Sequence, residues 1–226
     1  MSDADFAALR ANMVREILAH ARLAREQIGK DSLAPSVIEA LGRVPRHDFV
    51  PVELRQYAYV DSPLPIGYGK TISQPFIVAL MTDMLEVGRE DKVLEIGSGL
   101  GYQAAVLAEL ARQVFTVEIV EELAQEARTR LARLGYKNVE FKRGDGYYGW
   151  PEHGPFERII VTASPELVPA PLLSQLKAGG RMVIPAGIAE AQQLTLVSKD
   201  ANGRLAMREI LPVRFSLFEP GERAEA

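Results

Sequence analysis

The sequence contains no cysteine, a single tryptophan and three histidines in 226 residues. Without cysteine the chain can form no disulfide, no thiolate nucleophile and no cysteine-based metal site. His20, His47 and His153 lie far apart in the sequence and do not have the spacing of a zinc motif. We therefore expect no metal cofactor and no cysteine chemistry.

Long apolar runs and an excess of basic charge are missing as well. No uninterrupted apolar stretch approaches the roughly 18 residues of a membrane span, and residues 1–11 do not resemble a secretion signal. The formal net charge is −4, whereas nucleic-acid-binding domains are usually basic. These absences predict a cytoplasmic protein that has neither a membrane nor a nucleic acid as its partner.

What is present is the composition of a globular protein. Hydrophobic residues make up 47% of the chain, which is enough for one sizeable core in a single domain over residues 1–226. Apolar positions recur with helical spacing from about Asp5 to Ile28, before Gly29, and a second helix is predicted at Ser36–Gly42. Four prolines among aromatic residues at 44–65 indicate an ordered, irregular segment. We expect residues 1–60 to form an N-terminal helical segment.

The next stretch, residues 65–76, is predicted to be a loop that leads into an apolar helix at Ile77–Leu85. Ser73 has the residue type and the position of a helix N-cap, and Pro75 fits the first helical turn. Capping is the simpler explanation of Ser73. The loop nevertheless contains more residues that favour an ordered conformation than a simple connecting loop requires, so a functional role of Ser73 stays open.

Strands then alternate with helices, which predicts a doubly wound, mostly parallel α/β sheet with helices on both faces. The predicted strands are Val93–Ile96, Gln113–Val117, Val139–Lys142, Phe156–Val161, Arg181–Pro185, Gln193–Ser198 and Arg208–Val213, and the predicted helices between them are Gln103–Ala111, Glu121–Leu134 and Pro169–Leu176. The last two strands, joined by a turn at 200–203, suggest an antiparallel edge. We therefore expect residues 72–215 to form a Rossmann-like core and residues 221–226 to be frayed.

The chain is organised around the glycines that follow the first of these core strands. Gly97, Gly99 and Gly101 separate that strand from a helix. A residue without Cβ can adopt positive φ and lets a ligand approach the backbone, while the helix directs free N–H groups at it. Such a loop binds nucleotides in open α/β sheets, although a purely structural turn is an alternative. Tyr102 stands where a dinucleotide fingerprint has glycine or alanine, which disfavours an NAD site.

Two acids follow strands in a manner that suits an adenosine ligand. Glu118 ends the next strand, about twenty residues after the glycines, where a carboxylate can accept hydrogen bonds from both ribose hydroxyls. Asp145 follows a third strand between two glycines, where it can accept from an adenine amino group or form an Asx turn. Glu121 and Glu122 are explained by the helix dipole, which favours acids in a first turn.

Several longer stretches occur together in this chain. They are Arg46–Pro51, Ala58-Tyr59, Leu64–Gly67, Thr71-Ile72-Ser73-Gln74-Pro75, Val93–Ala105, Gly144–Gly146 with Gly149-Trp150, and Gly179–Pro185. Together they resemble the motifs of protein-L-isoaspartate (D-aspartate) O-methyltransferases, over most of the chain. The Thr-Ile-Ser-Gln-Pro stretch is the discriminating one, because other methyltransferases share the glycine loop but not this approach to it.

The resemblance implies a Rossmann-like methyltransferase that uses S-adenosylmethionine and leaves S-adenosylhomocysteine. The substrates it implies are damaged proteins and peptides whose L-isoaspartyl residues carry a free α-carboxylate, and acceptance of D-aspartyl sites stays open. Methylation of that carboxylate starts repair, because the ester collapses to a succinimide without further catalysis. We expect the protein to be a monomer.

The resemblance also implies roles for individual residues. Ser73 corresponds to the family's active-site serine. The implied cofactor contacts are Glu95, Gly97, Ser98, Gly99, Gly101, Glu118, Asp145 and Gly146, and the implied substrate contacts are Thr71, Ile72, Gln74 and Val213.

Some positions depart from the family's pattern, namely Lys70, Leu100, Ser164 and the stretch 216–218. Lys70 is expected to be solvated, with an anionic substrate as its alternative partner. The departure at 216–218 leaves open how the peptide backbone is held. His47 is expected to be structural, because it lies among prolines and close to Phe49.

Three other functions stay open on the sequence. One is a methyltransferase with another acceptor, although Thr162-Ala163-Ser164-Pro165 stands where amine methyltransferases often carry Asn/Asp-Pro-Pro-aromatic. A non-catalytic adenosine-binding or scaffolding protein is disfavoured, because Ser73 and the glycines are all present. An NAD oxidoreductase is disfavoured by the lack of a second nucleotide-binding half.

Overall fold

The computed structural model describes residues 1–219. Within this range the helices are α1 (Asp3–Leu23), α2 (Arg25–Ile28), α3 (Pro35–Arg43), α4 (Pro75–Leu85), α5 (Tyr102–Ala108), α6 (Glu121–Arg133) and α7 (Ala170–Gln175). The strands are β1 (Leu64–Gly67), β2 (Lys70–Ile72), β3 (Lys92–Ile96), β4 (Gln113–Glu118), β5 (Val139–Arg143), β6 (Phe156–Val161), β7 (Leu176–Ile188), β8 (Ala191–Lys199) and β9 (Leu205–Val213). The fraying expected of residues 221–226 lies outside the described residues.

Seven strands form one sheet in the order β5-β4-β3-β6-β7-β8-β9, while β1 and β2 form a separate antiparallel hairpin. The pairs from β5 to β7 are parallel, and β8 and β9 are antiparallel. The predicted mostly parallel sheet with an antiparallel edge is therefore confirmed. The chain runs outward from β3 to β5 and returns to β6 on the other side of β3. The carboxyl ends of β3 and β6 thus flank a switch point, where open sheets bind their ligands.

Apolar side chains cover both faces of the sheet, as the alternation of side chains along a strand requires. Val93 and Ile160 belong to the core that the N-terminal helices share. Leu94 and Ile159, on the same two strands, belong to the core on the opposite face with Leu172 of α7. The site therefore sits at the end of a sheet that is buried on both faces.

The N-terminal helices pack onto the sheet through α4. Met13, Ile17 and Ala21 of α1 are at most 1% exposed, and α1 and α3 both contact α4. Within residues 1–219, none of the helices combines the length and the apolar character needed to cross a membrane.

Three local predictions differ from the structure. Strand β7 begins at Leu176, five residues before the predicted start at Arg181, and continues to Ile188. The long N-terminal helix is interrupted at Ala24, so that α1 ends before a one-turn helix that Gly29 closes at φ +73°. Residues 65–76 contain the β1–β2 hairpin where the sequence predicts only a loop. Its turn includes Tyr68 at φ +54°. Tight turns usually place glycine, asparagine or aspartate at positive φ, so an aromatic residue at this position does not predict a hairpin.

Candidate active site

The glycine loop between β3 and α5 adopts the backbone conformation that its sequence predicts. Gly97, Gly99 and Gly101 have φ values of +92°, +52° and +94°, which other residues rarely adopt. A Cβ on Gly97 would lie 2.4 Å from Thr162 Oγ1. The backbone segments at Gly97 and Thr162 approach this closely because the Thr162 hydroxyl donates a hydrogen bond of 2.6 Å to the Gly97 carbonyl oxygen. Glycine is therefore needed at position 97 both for φ and for space.

Glu118, at the end of β4, is held by the backbone on both of its oxygens. Its Oε2 accepts a hydrogen bond from the Gly99 N–H at 2.8 Å, and Oε1 accepts from the N–H groups of Ile119 and Val120 at 3.0 and 3.1 Å. The residue is 6% exposed. A carboxylate has about four acceptor positions, so Glu118 is a rigid acceptor with room for about one more donor on Oε2.

A cleft of about 590 Å³, counting its open mouth, lies above the carboxyl ends of β3, β4 and β6. Gly97, Gly99, Glu118 and Gly146 line it. A Cβ on Gly146 would lie 2.2 Å from Ile96 Cγ2, so glycine is needed there as well. Residues 216–219 cover the cleft from the side of β6.

The covering segment is fixed to the end of β6 by Ser164. The Ser164 N–H donates to the Ser216 carbonyl oxygen at 2.8 Å, and the Phe218 N–H donates to the Ser164 carbonyl oxygen at 2.9 Å. Lys70 of β2 pairs with Glu219 across the cleft. The prediction that Lys70 is solvated is wrong, because its side chain is only 19% exposed and lines the cleft.

Two further spaces adjoin the cleft. A narrow cavity of about 390 Å³ under the hairpin is lined by Ile72, Ser98 and Tyr102 among others. A groove of about 960 Å³ on the outer side is lined by Gln74 and Val213 among others. The residues that line both spaces are Thr71, Ser73 and Thr162. These three hydroxyl-bearing side chains therefore lie where the cavity and the groove meet.

The prediction that Ser73 caps α4 is wrong. The N-cap residue is Gln74, and its own side chain makes no capping hydrogen bond. Asp61 takes that role from a distant segment: its Oδ1 accepts from the Phe76 N–H at 2.8 Å, and its Oδ2 accepts from Gln74 Nε2 at 3.1 Å. The Ser73 hydroxyl has no hydrogen-bond partner among residues 1–219, so it is available to a ligand.

Glu95 lies away from the position that its implied role requires. It is fully buried on β3, where Oε2 accepts a hydrogen bond from Thr116 Oγ1 at 2.5 Å. Burial raises the pKa of Glu95 to about 8, so the carboxyl group is protonated at neutral pH. The alternation of side chains along β3 turns Glu95 into the core, whereas Ile96 lines the cleft.

Other implied residues lie close to the cleft. The Ser98 hydroxyl is buried and has no hydrogen-bond partner in the part of the chain that the structure describes. Asp145 Oδ1 accepts from the Tyr147 N–H at 2.8 Å, the Asx turn that the sequence offered as an alternative. Gly101 is packed against Leu131 of α6, whose Cδ1 would be 3.0 Å from an added Cβ.

His47 has the structural surroundings that the sequence predicts. Its ring stacks on Phe6 with 3.8 Å between centroids, and its Nδ1 hydrogen-bonds with the Tyr59 hydroxyl at 2.7 Å. The sequence reasoning missed Thr162 and Asp61 as parts of the site. Thr162 directly follows β6, the strand beside β3 at the switch point, and that position is the signal that points to it. Local sequence carries no comparable signal for Asp61.

Comparison with known proteins gives one family for nearly the whole chain. The family model for Protein-L-isoaspartate(D-aspartate) O-methyltransferase (PCMT) matches residues 20–219. Protein-L-isoaspartate O-methyltransferase 1 of Polaromonas sp. (strain JS666 / ATCC BAA-500) is 58% identical over 222 residues, which are 98% of this chain and 94% of that protein. Protein-L-isoaspartate O-methyltransferase 2 of Syntrophobacter fumaroxidans is 58% identical over 215 residues, which are 95% of this chain and 87% of that protein.

Solved structures agree with the fold. A protein-L-isoaspartate O-methyltransferase aligns with a TM-score of 0.80 at 29% identity, over 93% of this chain and 66% of that chain. A putative protein-L-isoaspartate O-methyltransferase of Plasmodium falciparum, solved in complex with S-adenosyl-L-homocysteine, aligns with a TM-score of 0.74 at 23% identity, over 90% of this chain and 97% of that chain.

Proposed function

The chain belongs to the protein-L-isoaspartate (D-aspartate) O-methyltransferase family, and from this premise we propose which of its residues carry the reaction. The protein is an enzyme that transfers a methyl group from S-adenosylmethionine to isoaspartyl residues of proteins. In our proposal the cleft above β3, β4 and β6 holds the cofactor, and the groove beside Ser73 holds the peptide.

The described residues of the cleft and of the adjoining cavity fit this cofactor in three respects. The glycine loop keeps the backbone open to a ligand, Glu118 is a fixed acceptor for a ribose hydroxyl, and the buried Ser98 hydroxyl needs a partner. When bound, S-adenosylmethionine supplies the methyl group. The cofactor contacts that we propose are Gly97, Ser98, Gly99, Gly101, Glu118, Asp145 and Gly146, with Glu95 supporting the loop from the core.

The acceptor requires alignment more than activation. A peptide carboxylate with a reference pKa near 4 is ionised at neutral pH, so no strong base is needed. A carboxylate oxygen bonds to the methyl carbon while the carbon–sulfur bond breaks and its electron pair stays on sulfur. Alignment of reacting groups can lower a barrier by about 7–11 kcal/mol. Ser73 stays protonated and donates its O–H to the carboxylate, which orients the attacking oxygen.

The peptide chain itself is proposed to lie in the groove, with contacts at Thr71, Gln74 and Val213, while the isoaspartyl side reaches Ile72 in the adjoining cavity. A groove open to solvent suits an acceptor that is part of a larger protein. A buried pocket would suit a small-molecule acceptor instead. The groove therefore supports the α-carboxylate of a chain-bound isoaspartyl residue as the acceptor.

One observation carries the proposal. Ser73 lines both the cavity that reaches the glycine loop and the groove that is open to solvent. Its hydroxyl is free because Asp61 makes the capping hydrogen bond to α4. An anionic acceptor that enters through the groove meets this hydroxyl where the groove adjoins the cavity that reaches the glycine loop.

The test uses labelled S-adenosylmethionine and two peptides that differ only in a normal or an isoaspartyl linkage. The wild-type protein is expected to incorporate base-labile methyl groups into the isoaspartyl peptide alone. Ser73→Ala is expected to lower kcat/KM about tenfold to a hundredfold, the effect of losing a hydrogen bond to a charged group. Affinity for S-adenosylhomocysteine should stay within about twofold, because the cofactor contacts are intact.

Ser62→Ala serves as the matched control, since within residues 1–219 the Ser62 hydroxyl donates its hydrogen bond to the carbonyl oxygen of the next residue, Pro63, at 3.4 Å. Methylation of both peptides, or of neither, would overturn the acceptor. Equal activity of Ser73→Ala and Ser62→Ala would overturn the role of Ser73.

We also propose that the enzyme acts as a cytoplasmic monomer with a single catalytic domain. Light scattering coupled to size-exclusion chromatography measures the oligomeric state.

A further inference from the structure

Arg46 opens the Arg46–Pro51 motif, which the proposed reaction leaves without a role. The residue lies in a short 3-10 turn after α3 and is 0% exposed. A buried guanidinium is costly unless its donors are used. Arg46 makes no salt bridge with a carboxylate of residues 1–219, and its Nη1 has no hydrogen-bond partner there, so its stabilisation comes from the partners of Nε and Nη2 and from a neighbouring ring.

Those partners are two backbone carbonyl groups and an aromatic ring. Arg46 Nε donates to the Ala58 carbonyl oxygen at 2.7 Å, and Nη2 donates to the Ser73 carbonyl oxygen at 2.7 Å. Its Cζ lies 4.7 Å from the centre of the Tyr102 ring. Tyr102 is the first residue of α5, directly after the glycine loop. One side chain therefore joins the Ser73 loop to the cofactor loop.

We propose that Arg46 is a positioning residue for the methyl transfer. It fixes the backbone of Ser73 relative to the glycine loop, so that the Ser73 hydroxyl meets the acceptor carboxylate in the orientation that the reaction requires. The inference rests on the proposed function of Ser73 and adds to it the side chain that sets its position.

Apart from Arg46, the side-chain contacts near Ser73 that the structure describes do not bind the Ser73 residue itself. The following residue, Gln74, is held through its side chain by Asp61 at 3.1 Å, on the α4 side of the loop. The hydroxyl of Ser73 has no partner in residues 1–219, so its side chain does not fix its own position. The hydrogen bond from Arg46 to the Ser73 carbonyl is charge-assisted and short, which makes it stronger than a neutral one.

The geometry also requires arginine at this position. Its planar fork reaches two carbonyl groups from a single side chain while its face lies against an aromatic ring. Lysine carries the same charge, but its three N–H donors share one nitrogen, so it cannot span the carbonyls of Ala58 and Ser73 as two separate guanidinium nitrogens do. Arg46→Lys is therefore a change in geometry at constant charge.

The test is a double-mutant cycle between Arg46→Lys and Ser73→Ala, with methylation of the isoaspartyl peptide as its readout. Arg46→Lys is expected to lower kcat/KM about tenfold in the wild-type background, since a misplaced reacting group reduces the rate. In the Ser73→Ala background it should have an effect of less than about twofold, because the hydroxyl that Arg46 positions is already gone. Affinity for S-adenosylhomocysteine should be unchanged in both.

Arg43→Lys is the matched control. It is the same substitution near the same helix end, at an arginine that is 49% exposed and pairs with Glu109. It should leave kcat/KM within about twofold of wild type. All variants are assayed below their melting temperatures.

Three results separate the possible failures. Full activity of Ser73→Ala would defeat the proposed function, and Arg46 would then have nothing to act through. Suppose instead that Ser73→Ala lowers kcat/KM, but Arg46→Lys lowers it by the same factor with Ser73 as with Ala at position 73. That result would overturn the positioning role of Arg46 and leave the proposed function of Ser73 intact. Full activity of Arg46→Lys would also overturn the positioning role. If Arg46→Lys does not fold, Tyr102→Leu removes the ring behind the guanidinium, and the same dependence on Ser73 is expected.

Discussion

Single residues of the cleft and the adjoining cavity differ in how much of their hydrogen-bonding capacity the protein itself uses. Glu118 accepts three backbone hydrogen bonds, and the Thr162 hydroxyl is bound to the glycine loop. These side chains are rigid parts of the wall. The Ser98 hydroxyl is buried and has no hydrogen-bond partner among residues 1–219. Because buried polar groups are nearly always paired, this favours a ligand beside Ser98, whereas the half-buried Ser73 hydroxyl is reached from the groove.

Glu95 leads to a prediction about stability. Burial raises the pKa of Glu95 from 4.5 to about 8, while the unfolded chain keeps the ordinary value. Between these values the unfolded state has lost a proton that the folded state retains, so the free energy of unfolding falls as the pH rises from 4.5 to about 8. The loss is about 1.4 kcal/mol for each pH unit in that window.

Glu95→Gln cannot ionise and should remove this loss. We expect the variant to have nearly the stability of wild type at about pH 5 and a clearly higher stability at about pH 8. Urea unfolding at a series of pH values measures the difference. Glu90→Gln, at an exposed position, is the control and should follow the wild-type curve. A Glu95→Gln curve parallel to wild type would contradict the prediction.

Among the larger elements, the β1–β2 hairpin and the start of α4 decide where the active-site loop lies. β2 ends at Ile72 and α4 begins at Pro75, so only Ser73 and Gln74 connect them. A connection this short is fixed by whatever holds its two ends. Arg46 holds the Ser73 carbonyl group, and Asp61 holds the first turn of α4.

Asp61→Ala should therefore weaken both the fold and the site. Loss of a capping side chain costs about 0.5–2 kcal/mol, and Asp61 also binds Gln74 and His20. We expect a lower free energy of unfolding together with a higher KM for the isoaspartyl peptide. Asp31→Ala, at an exposed position, is the control. An unchanged KM for Asp61→Ala would show that the start of α4 does not position the peptide groove.

On the scale of the whole molecule, one apolar core joins the N-terminal helices to the sheet. Met13 and Ile17 of α1, Leu80 of α4 and Val93 of β3 belong to the same buried cluster. The helical segment over residues 1–60 therefore has no separate core from the Rossmann-like part over 72–215. A shared core favours a single cooperative unit.

We expect calorimetry to show a single unfolding transition with equal calorimetric and van't Hoff enthalpies. A fragment of residues 72–215 should fail to fold or should aggregate, because it exposes the surface of α4 that α1 and α3 cover. Two separate transitions, or a fragment with native circular dichroism, would contradict the single-domain prediction.

The sequence alone determined the features that local backbone chemistry controls. The absence of Cβ permits the positive φ of Gly97, Gly99 and Gly101, and the spacing of apolar residues predicts the run of strands and helices. The family motif around Ser73 was also visible in the sequence, because it is a continuous stretch of residues.

Tertiary structure alone decided which side chains meet. The cap on α4 comes from Asp61, fifteen residues before the N–H that it binds, and Lys70 pairs with Glu219, 149 residues away. Glu95 turns into the core although it stands beside the glycine loop, because its strand is covered on both faces. Local sequence fixes the conformation of a segment, whereas contacts between distant residues depend on how all the segments pack.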